Sequence, residues 1–399
     1  MKKSLKSILL ATTLFAGVLA GCSGGQGSSG SGSSGGGKSD GDTIKIGANL
    51  ELSGEVASYG QSIAEGVELA VEEINNSGGV DGKKIEIVKV DNKSDNAEAA
   101  SVATRLTSQE KVLAIIGAAT SGNTLAQAQI ANDTKTVLLS PSGTAPNVTE
   151  NENGSINEYV FRTSYIDPFQ GTVAANFAAN ESKVKTAAIY SDSASDYAKG
   201  LAASFKETFE AAGGKVIAEE SYVAGDTDFR STLTRIKSAK PEFVFIPGYY
   251  EEVGLIVKQA RELGISAPLM GADGWDSPTL VDLAGADALN NTFITNHYSS
   301  QDPDQKIQDF VTKFKEKNKD KSPNAFNALG YDTVYLLVDA IERAGSLDSE
   351  KIKDALAETK DIQLVTGIVT IDKKHNPIKS ATILEYVDGE QTFKTKVNP

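Results

Sequence analysis

From Thr43 onward, short β-branched runs alternate with longer stretches whose apolar residues recur at helical spacing, the pattern of parallel strands joined by crossover helices. The first series predicts strands at Ile44 to Ala48, Ile85 to Val90, Val112 to Ile116 and Val137 to Leu139, with helices near Ser62 to Asn75, Ala97 to Gln109 and Asn123 to Ala131. A second series repeats that rhythm. Its strands fall at Thr186 to Tyr190, Val216 to Tyr222, Phe243 to Pro247 and Leu269 to Gly271, and its helices near Ala198 to Ala211, Phe229 to Ala239 and Glu252 to Leu263. No residue-level repeat links the two series, so an α/β body of two lobes is expected rather than one sheet of eight or more strands. Beyond Asn296 come helices at Asp304 to Glu316, Ala325 to Arg343 and Ser349 to Ala357, then strands around Gly367 to Ile371 and Ala381 to Tyr386. The chain is expected to cross between lobes at Phe161-Arg162-Thr163 and at Thr292 to Asn296.

The segment before Thr43 follows other rules. A basic Met1-Lys2-Lys3-Ser4-Leu5-Lys6 precedes an apolar run, Ile8 to Ala20, too short to span a bilayer and suited to a signal peptide. At its end Leu19-Ala20-Gly21-Cys22 resembles the bacterial lipobox, which implies cleavage before Cys22 and diacylglycerol on its thiol. Two acyl chains, at about 0.8 kcal/mol per buried CH2, hold a protein on a membrane where one chain would not. Ser23 to Asp40 are almost entirely Gly and Ser, a composition that buries nothing and serves as a tether with a reach of roughly 24 Å.

Composition narrows the function classes. The chain of 399 residues carries 53 Asp and Glu against 39 Lys and Arg, a formal charge of -14, which disfavours nucleic acid as a partner. Loss of the three lysines in the signal takes the mature chain to -17. A single Cys cannot form an intrachain disulfide, and with only His297 and His375 beside it no Cys/His zinc cluster can be assembled. No cofactor and no metal are expected, and the mature chain is expected to be a monomer.

In open parallel sheets ligands bind beyond the carboxyl ends of strands. Gly117-Ala118-Ala119-Thr120-Ser121-Gly122 leaves one such strand and opens a helix with hydroxyls and backbone N-H groups. Such a terminus either caps itself through Thr120 or Ser121, or holds a carboxylate. Ser140-Pro141-Ser142-Gly143-Thr144-Ala145-Pro146 leaves the next strand, as an ordinary turn or as a second donor loop. Two donor loops at one sheet edge suit a small anion. In the second series Asp192 to Tyr197, Pro247-Gly248-Tyr249-Tyr250 and Gly271-Ala272-Asp273-Gly274-Trp275 also follow strands and bring rings and an acid. One lobe thus offers donors and the other rings and a carboxylate, the complement a zwitterionic α-amino acid needs. For Tyr197 and Tyr249 the residues alone leave packing and ligand contact equally open, and Asp273 could be a turn former.

Across nearly the whole mature body the sequence resembles the branched-chain amino-acid (leucine/isoleucine/valine) binding proteins of ABC importers. The resemblance rests on Leu52-Ser53-Gly54 with Ala57-Ser58-Tyr59-Gly60-Gln61, Ile74-Asn75 through Gly78-Gly79-Val80, Leu139-Ser140-Pro141 with Thr144-Ala145-Pro146, Phe161-Arg162-Thr163 with Asp167 and Gln170-Gly171, and Asp228-Phe229. It implies two doubly wound parallel-sheet lobes of the type I periplasmic-binding-protein fold, joined by a hinge crossed several times. The implied limits are 43–162 plus 296–383 for lobe 1 and 163–295 plus 384–399 for lobe 2, after a signal at 1–21 and a lipidated tether at 22–42. By the same resemblance Ser121 meets the ligand carboxylate, and Ser142, Gly143 and Thr144 supply second-loop contacts. Tyr197 and Tyr249 are the far-lobe rings, Tyr59 a ring over the cleft mouth, and Asp273 the acidic partner of the ammonium, where the family often has glutamate. Ser142-Gly143 departs from the small apolar pair common in aliphatic binders.

The resemblance further implies lobe closure over the ligand and delivery to a membrane permease with separate ATPase subunits, on the extracytoplasmic face. The chain itself has no G-x-x-x-x-G-K-[ST] motif. A sensor of amino acids, amides or small carboxylates would use the same fold. A lipid-anchored hydrolase is the reading from another class, and against it stand the lack of a G-x-S-x-G elbow and the absence of a nucleophile beside either His297 or His375.

Overall fold

A computed structural model of the chain describes residues 43–151 and 153–399; the signal, Cys22 and the tether lie outside the described residues. The chain begins with β1 (Thr43–Leu50), α1 (Ala57–Asn76), β2 (Lys84–Asp91), α2 (Asn96–Arg105), β3 (Ala114–Gly117), α3 (Ser121–Thr134), β4 (Val137–Ser140) and β5 (Val160–Arg162). These strands form a parallel sheet in the order β2-β1-β3-β4-β5. β3 and β4, Ala-Ile-Ile-Gly and Val-Leu-Leu-Ser, are buried along their whole length, as central strands covered by helices on both faces must be.

The chain continues with α4 (Asp167–Asn176), β6 (Thr186–Asp192), α5 (Asp196–Ala211), β7 (Lys215–Tyr222), α6 (Arg230–Ala239), β8 (Phe243–Phe245), α7 (Tyr250–Glu262), β9 (Leu269–Gly271), α8 (Pro278–Ala284), α9 (Ala286–Leu289) and β10 (Thr292–Asn296). It then returns to the first lobe as α10 (Gln305–Lys317), α11 (Ala325–Ala344), α12 (Ser349–Ala357) and a small antiparallel sheet of β11 (Ile362–Leu364), β12 (Gly367–Ile371) and β13 (Pro377–Ile378). It ends as β14 (Ala381–Val387) and β15 (Glu390–Val397), which complete a second sheet in the order β15-β14-β10-β9-β8-β6-β7. The result is the expected pair of doubly wound lobes.

Three departures from the sequence expectation have physical causes. Phe161-Arg162 and Thr292 to Asn296, expected to be crossings, are strands β5 and β10, and the chain crosses just after each. α4 was not anticipated, because its small residues Gly171, Ala174 and Ala175 give it no broad apolar stripe. They serve instead to bring its backbone against α5, where a side-chain carbon on Gly171 would fall 2.9 Å from the Leu201 carbonyl. β15 escaped notice because an edge strand exposed along much of its length need not alternate apolar and polar residues.

One close approach in the first lobe sets up the cleft. α1 and α11 pack with almost no space between backbones: a Cβ on Gly66 would lie 2.0 Å from the Asn327 carbonyl, and one on Gly330 2.4 Å from that of Ile63. The approach carries the start of α1 against the start of α11, and the rings of Tyr59 and Phe326 stack 4.4 Å apart. The crossings are also tied together. Thr163 in the first meets Thr333 of α11 through their hydroxyls at 2.9 Å, while Lys379 in the last, wholly buried, holds the Thr163 carbonyl and the Thr366 hydroxyl. Burial pushes the Lys379 ammonium down to about 8, with Asp332 opposing that shift.

Candidate functional site

The first donor loop is already occupied by a carboxylate of the protein. Glu51, just beyond β1 and fully buried, accepts the N-H groups of Ala119 at 2.9 Å and Thr120 at 3.0 Å, the Thr120 hydroxyl at 2.9 Å and the Asn123 amide at 2.9 Å. It thereby satisfies the donors that open α3 and complements the helix dipole. Of the two readings left open for this loop the capping one holds, since the Thr120 hydroxyl also accepts the Asn123 N-H at 3.4 Å; with the Ala119 and Thr120 N-H groups bound to Glu51, the next hydroxyl on the cleft is that of Ser121. Its Oγ accepts the Ala145 N-H at 3.0 Å, which leaves its own hydroxyl proton to donate.

The second loop is locked behind the first. Ser142 donates to the Ala119 carbonyl at 2.8 Å, and the Ser140 hydroxyl donates to the Ala118 carbonyl while accepting the Gly143 N-H, both at 2.9 Å. Arg162, buried at the end of β5, donates to the carbonyls of Gly143 at 2.7 Å and Ala145 at 3.0 Å and to the Thr149 hydroxyl. Its charge meets backbone carbonyls, and it forms no ion pair with a carboxylate among the described residues. Thr144 Oγ1 and both oxygens of Asp167, at the start of α4, are buried and make no hydrogen bond of good geometry among the described residues. Burial pushes the Asp167 carboxyl well above the usual range, against the opposing pulls of Thr144 and Arg162.

From the other lobe comes Asp273, after β9 and 3% exposed. Its Oδ1 accepts from the Tyr197 hydroxyl at 2.8 Å and the Gln170 amide at 3.0 Å, and its Oδ2 lies 3.0 Å from Nε2 of His297. The rings complete the enclosure. Tyr197 stacks on Tyr249 with centroids 5.0 Å apart, and Tyr249 presents its edge to Tyr59 at 5.8 Å. Burial raises all three phenols, so each is a neutral donor. Tyr59, Ala119, Thr120, Ser121, Ser142 and Phe326 of the first lobe face Tyr197, Tyr249, Asp273 and Gly274 of the second around a cavity of about 10 Å³, room for about one water.

The lobes are closed on this cavity. Tyr59 donates its hydroxyl to the Gly274 carbonyl and accepts the Tyr250 N-H, Tyr250 donates to the Glu55 carbonyl, and Ser58 meets Ser277 at 2.7 Å. Asn147 donates to Asp196 across the gap at 2.9 Å.

A sequence family described as periplasmic binding protein matches residues 43–391. The chain belongs to the periplasmic binding protein family. A leucine-, isoleucine-, valine-, threonine- and alanine-binding protein of Pseudomonas aeruginosa is 35% identical to it over 357 residues, covering 89% of this chain and 92% of the relative. The branched-chain amino acid transporter substrate-binding protein LivJ of Streptococcus pneumoniae, solved in complex with isoleucine, superposes with a TM-score of 0.84 at 41% identity, covering 90% of this chain and all of the other. A solute-binding protein of R. palustris in complex with benzoate superposes at 0.79 with 26% identity, over 90% of this chain and 97% of that one.

In this periplasmic binding protein, Tyr59, Ser121, Ser142, Tyr197, Tyr249 and Asp273, all anticipated from sequence, come together around one cavity. Gly143 and Thr144 stand behind Ser142 rather than on the lining. Sequence reasoning passed over Glu51, Gln170 as a holder of Asp273, and Phe326. Phe326 carried a local signal, an aromatic ring in the first turn of a helix capped by Asn324, but Glu51 carried none. Neither histidine bonds a hydroxyl among the described residues: His297 pairs with Asp273, and His375 with the Val160 carbonyl at 2.9 Å. No described helix is long and apolar enough to cross a membrane.

Glu51→Ala strands two buried backbone donors and the Asn123 amide, and is expected to lower unfolding free energy by about 3 kcal/mol or more in urea titrations. A loss under about 1 kcal/mol would show that these donors find other partners.

Proposed function

We propose that the cleft captures one branched-chain or closely related α-amino acid per chain, with its carboxylate toward Ser121 and its ammonium toward Asp273. The supporting observation is the division of chemistry across the closed cleft: a hydroxyl donor on one lobe, a carboxylate on the other, and rings between them. Asp273 faces the cavity while Glu51 and Asp167 stand close behind, and no Lys or Arg is among the residues lining it. A ligand that is only an anion would meet the Asp273 carboxylate with nothing to offset it, and a zwitterion brings the missing cation. The rings of Tyr59, Phe326, Tyr197 and Tyr249 suit an aliphatic side chain. The ligands in the names of the Pseudomonas and Streptococcus relatives fit this set better than benzoate does.

The ligand shifts an equilibrium between open and closed lobes by its different affinity for the two forms, and the closed form hands it to a membrane permease powered by separate ATPase subunits. The protein catalyses nothing and works as a monomer tethered by lipid on Cys22 at the extracytoplasmic face. The lobe limit at 162/163 is retained, with β5 ending at Arg162 in support, while β10 running through Asn296 favours 296/297 over 295/296 for the second. The start of β14 at Ala381 favours a last crossing at Lys379-Ser380.

Calorimetry on the ligand-stripped mature chain is expected to show one site for leucine, isoleucine or valine and none for benzoate. Asp273→Asn should cost about 2 to 5 kcal/mol of that binding. Benzoate binding with no amino-acid heat would replace the reading with a small carboxylate carrier. For the anchor, Cys22→Ala should move the protein from the membrane fraction to the soluble one; unchanged membrane association would remove the lipid.

A further inference from the structure

His297 is the first residue after β10, 2% exposed, and plays no part in lining the cavity. Its Nε2 reaches Asp273 Oδ2 at 3.0 Å, and its ring stacks on Tyr165 with centroids 3.9 Å apart. Tyr165 lies in the first lobe crossing and donates to Gln170 Oε1 at 3.3 Å. The same Gln170 oxygen accepts the Asp273 N-H at 3.1 Å and the Thr295 hydroxyl at 2.9 Å, while the Gln170 amide donates to Asp273 Oδ1. His297 and Gln170 thus converge on one carboxylate, with Tyr165 of the first crossing bracing both.

The tautomer of His297 follows from its partner. An ionised carboxylate can only accept, so Nε2 carries the proton and Nδ1, buried without a partner, is the bare lone pair. A second proton on Nδ1 would be buried with no acceptor. Burial lowers the pKa of the ring, Lys379 acts in the same direction, and Asp273 opposes both. The ring is therefore a neutral donor: it fixes the direction of the carboxylate without cancelling its charge, as a lysine or arginine there would.

We infer that His297 is a positioning residue which, together with Gln170, aims the Asp273 carboxylate at the ligand ammonium and so sets the affinity for amino acids. The inference rests on the amino-acid reading of the cleft. It assigns a task to a histidine that the ligand never touches.

The test uses the mature chain with leucine as the probe. His297→Phe keeps a ring on Tyr165 but loses the N-H, and should weaken leucine binding by about tenfold or more. His297→Gln restores a donor and should return affinity to within about threefold of the parent. Equal losses in both variants, or none in His297→Phe, would overturn the inference. Should the Phe variant fail to fold, imidazole nitrogen NMR on the unmodified chain decides. The chain has two histidines, and His297 should be the neutral Nε2-H tautomer at about pH 7 to 8, with its Nε2 resonance moving when leucine binds. His375, which bonds the Val160 carbonyl through Nδ1, should be the opposite tautomer and stay still. An imidazolium or an Nδ1-H form at His297, or a resonance indifferent to bound leucine, would overturn the inference. Absence of leucine binding to the parent chain would instead sink the amino-acid reading, while the tautomer would still judge the pairing with Asp273.

Discussion

A carboxylate buried at a cleft must have its lone pairs filled by donors, and if it is to meet a cationic ligand group, as proposed for Asp273, none of those donors can bring a positive charge. All three of its side-chain partners, Tyr197, Gln170 and His297, donate hydrogen bonds without bringing a positive charge. A cationic partner would satisfy the geometry equally well and compete with the ligand's ammonium. The residues that supply these donors come from α5, from α4 and from the end of β10, so the second lobe has to be complete before its acid is in place.

Glu51 poses the same problem on the other lobe and solves it differently. It spends its oxygens on the donors that open α3, and that fixes where the turn at Ala119 and Thr120 sits and hence where Ser121 stands. Arg162 does the corresponding work for the second loop by binding carbonyls. Each lobe therefore arrives at the cleft with its polar groups prearranged, and closure brings two rigid faces together through Tyr59, Tyr250, Ser58 and their partners. Prearrangement of this kind reduces the ordering cost of binding.

The alternation of strand and helix was legible along the chain because a parallel sheet covered on both faces demands continuous apolar strands, and β3, β4 and β9 obey that demand. The loops after those strands were legible for the same reason, which is why Ser121, Ser142 and Asp273 stand out in the sequence. Glu51 was not legible: a glutamate after a strand reads as solvent-facing, and only the turn sixty-eight residues later buries it. α4 was obscured because its small residues leave no apolar stripe, and Phe326 because the ring it stacks on, Tyr59, is distant in sequence. The exact partners of His297 belong to the same class, since they depend on two crossings meeting in space.

The most direct test of a cleft that reads a zwitterion lobe by lobe is a crystal structure of the mature chain grown with leucine. The account predicts leucine between closed lobes, its carboxylate within hydrogen-bond distance of Ser121 and its ammonium on Asp273. Leucine bound in the reverse sense, or seated outside the cleft, would contradict it.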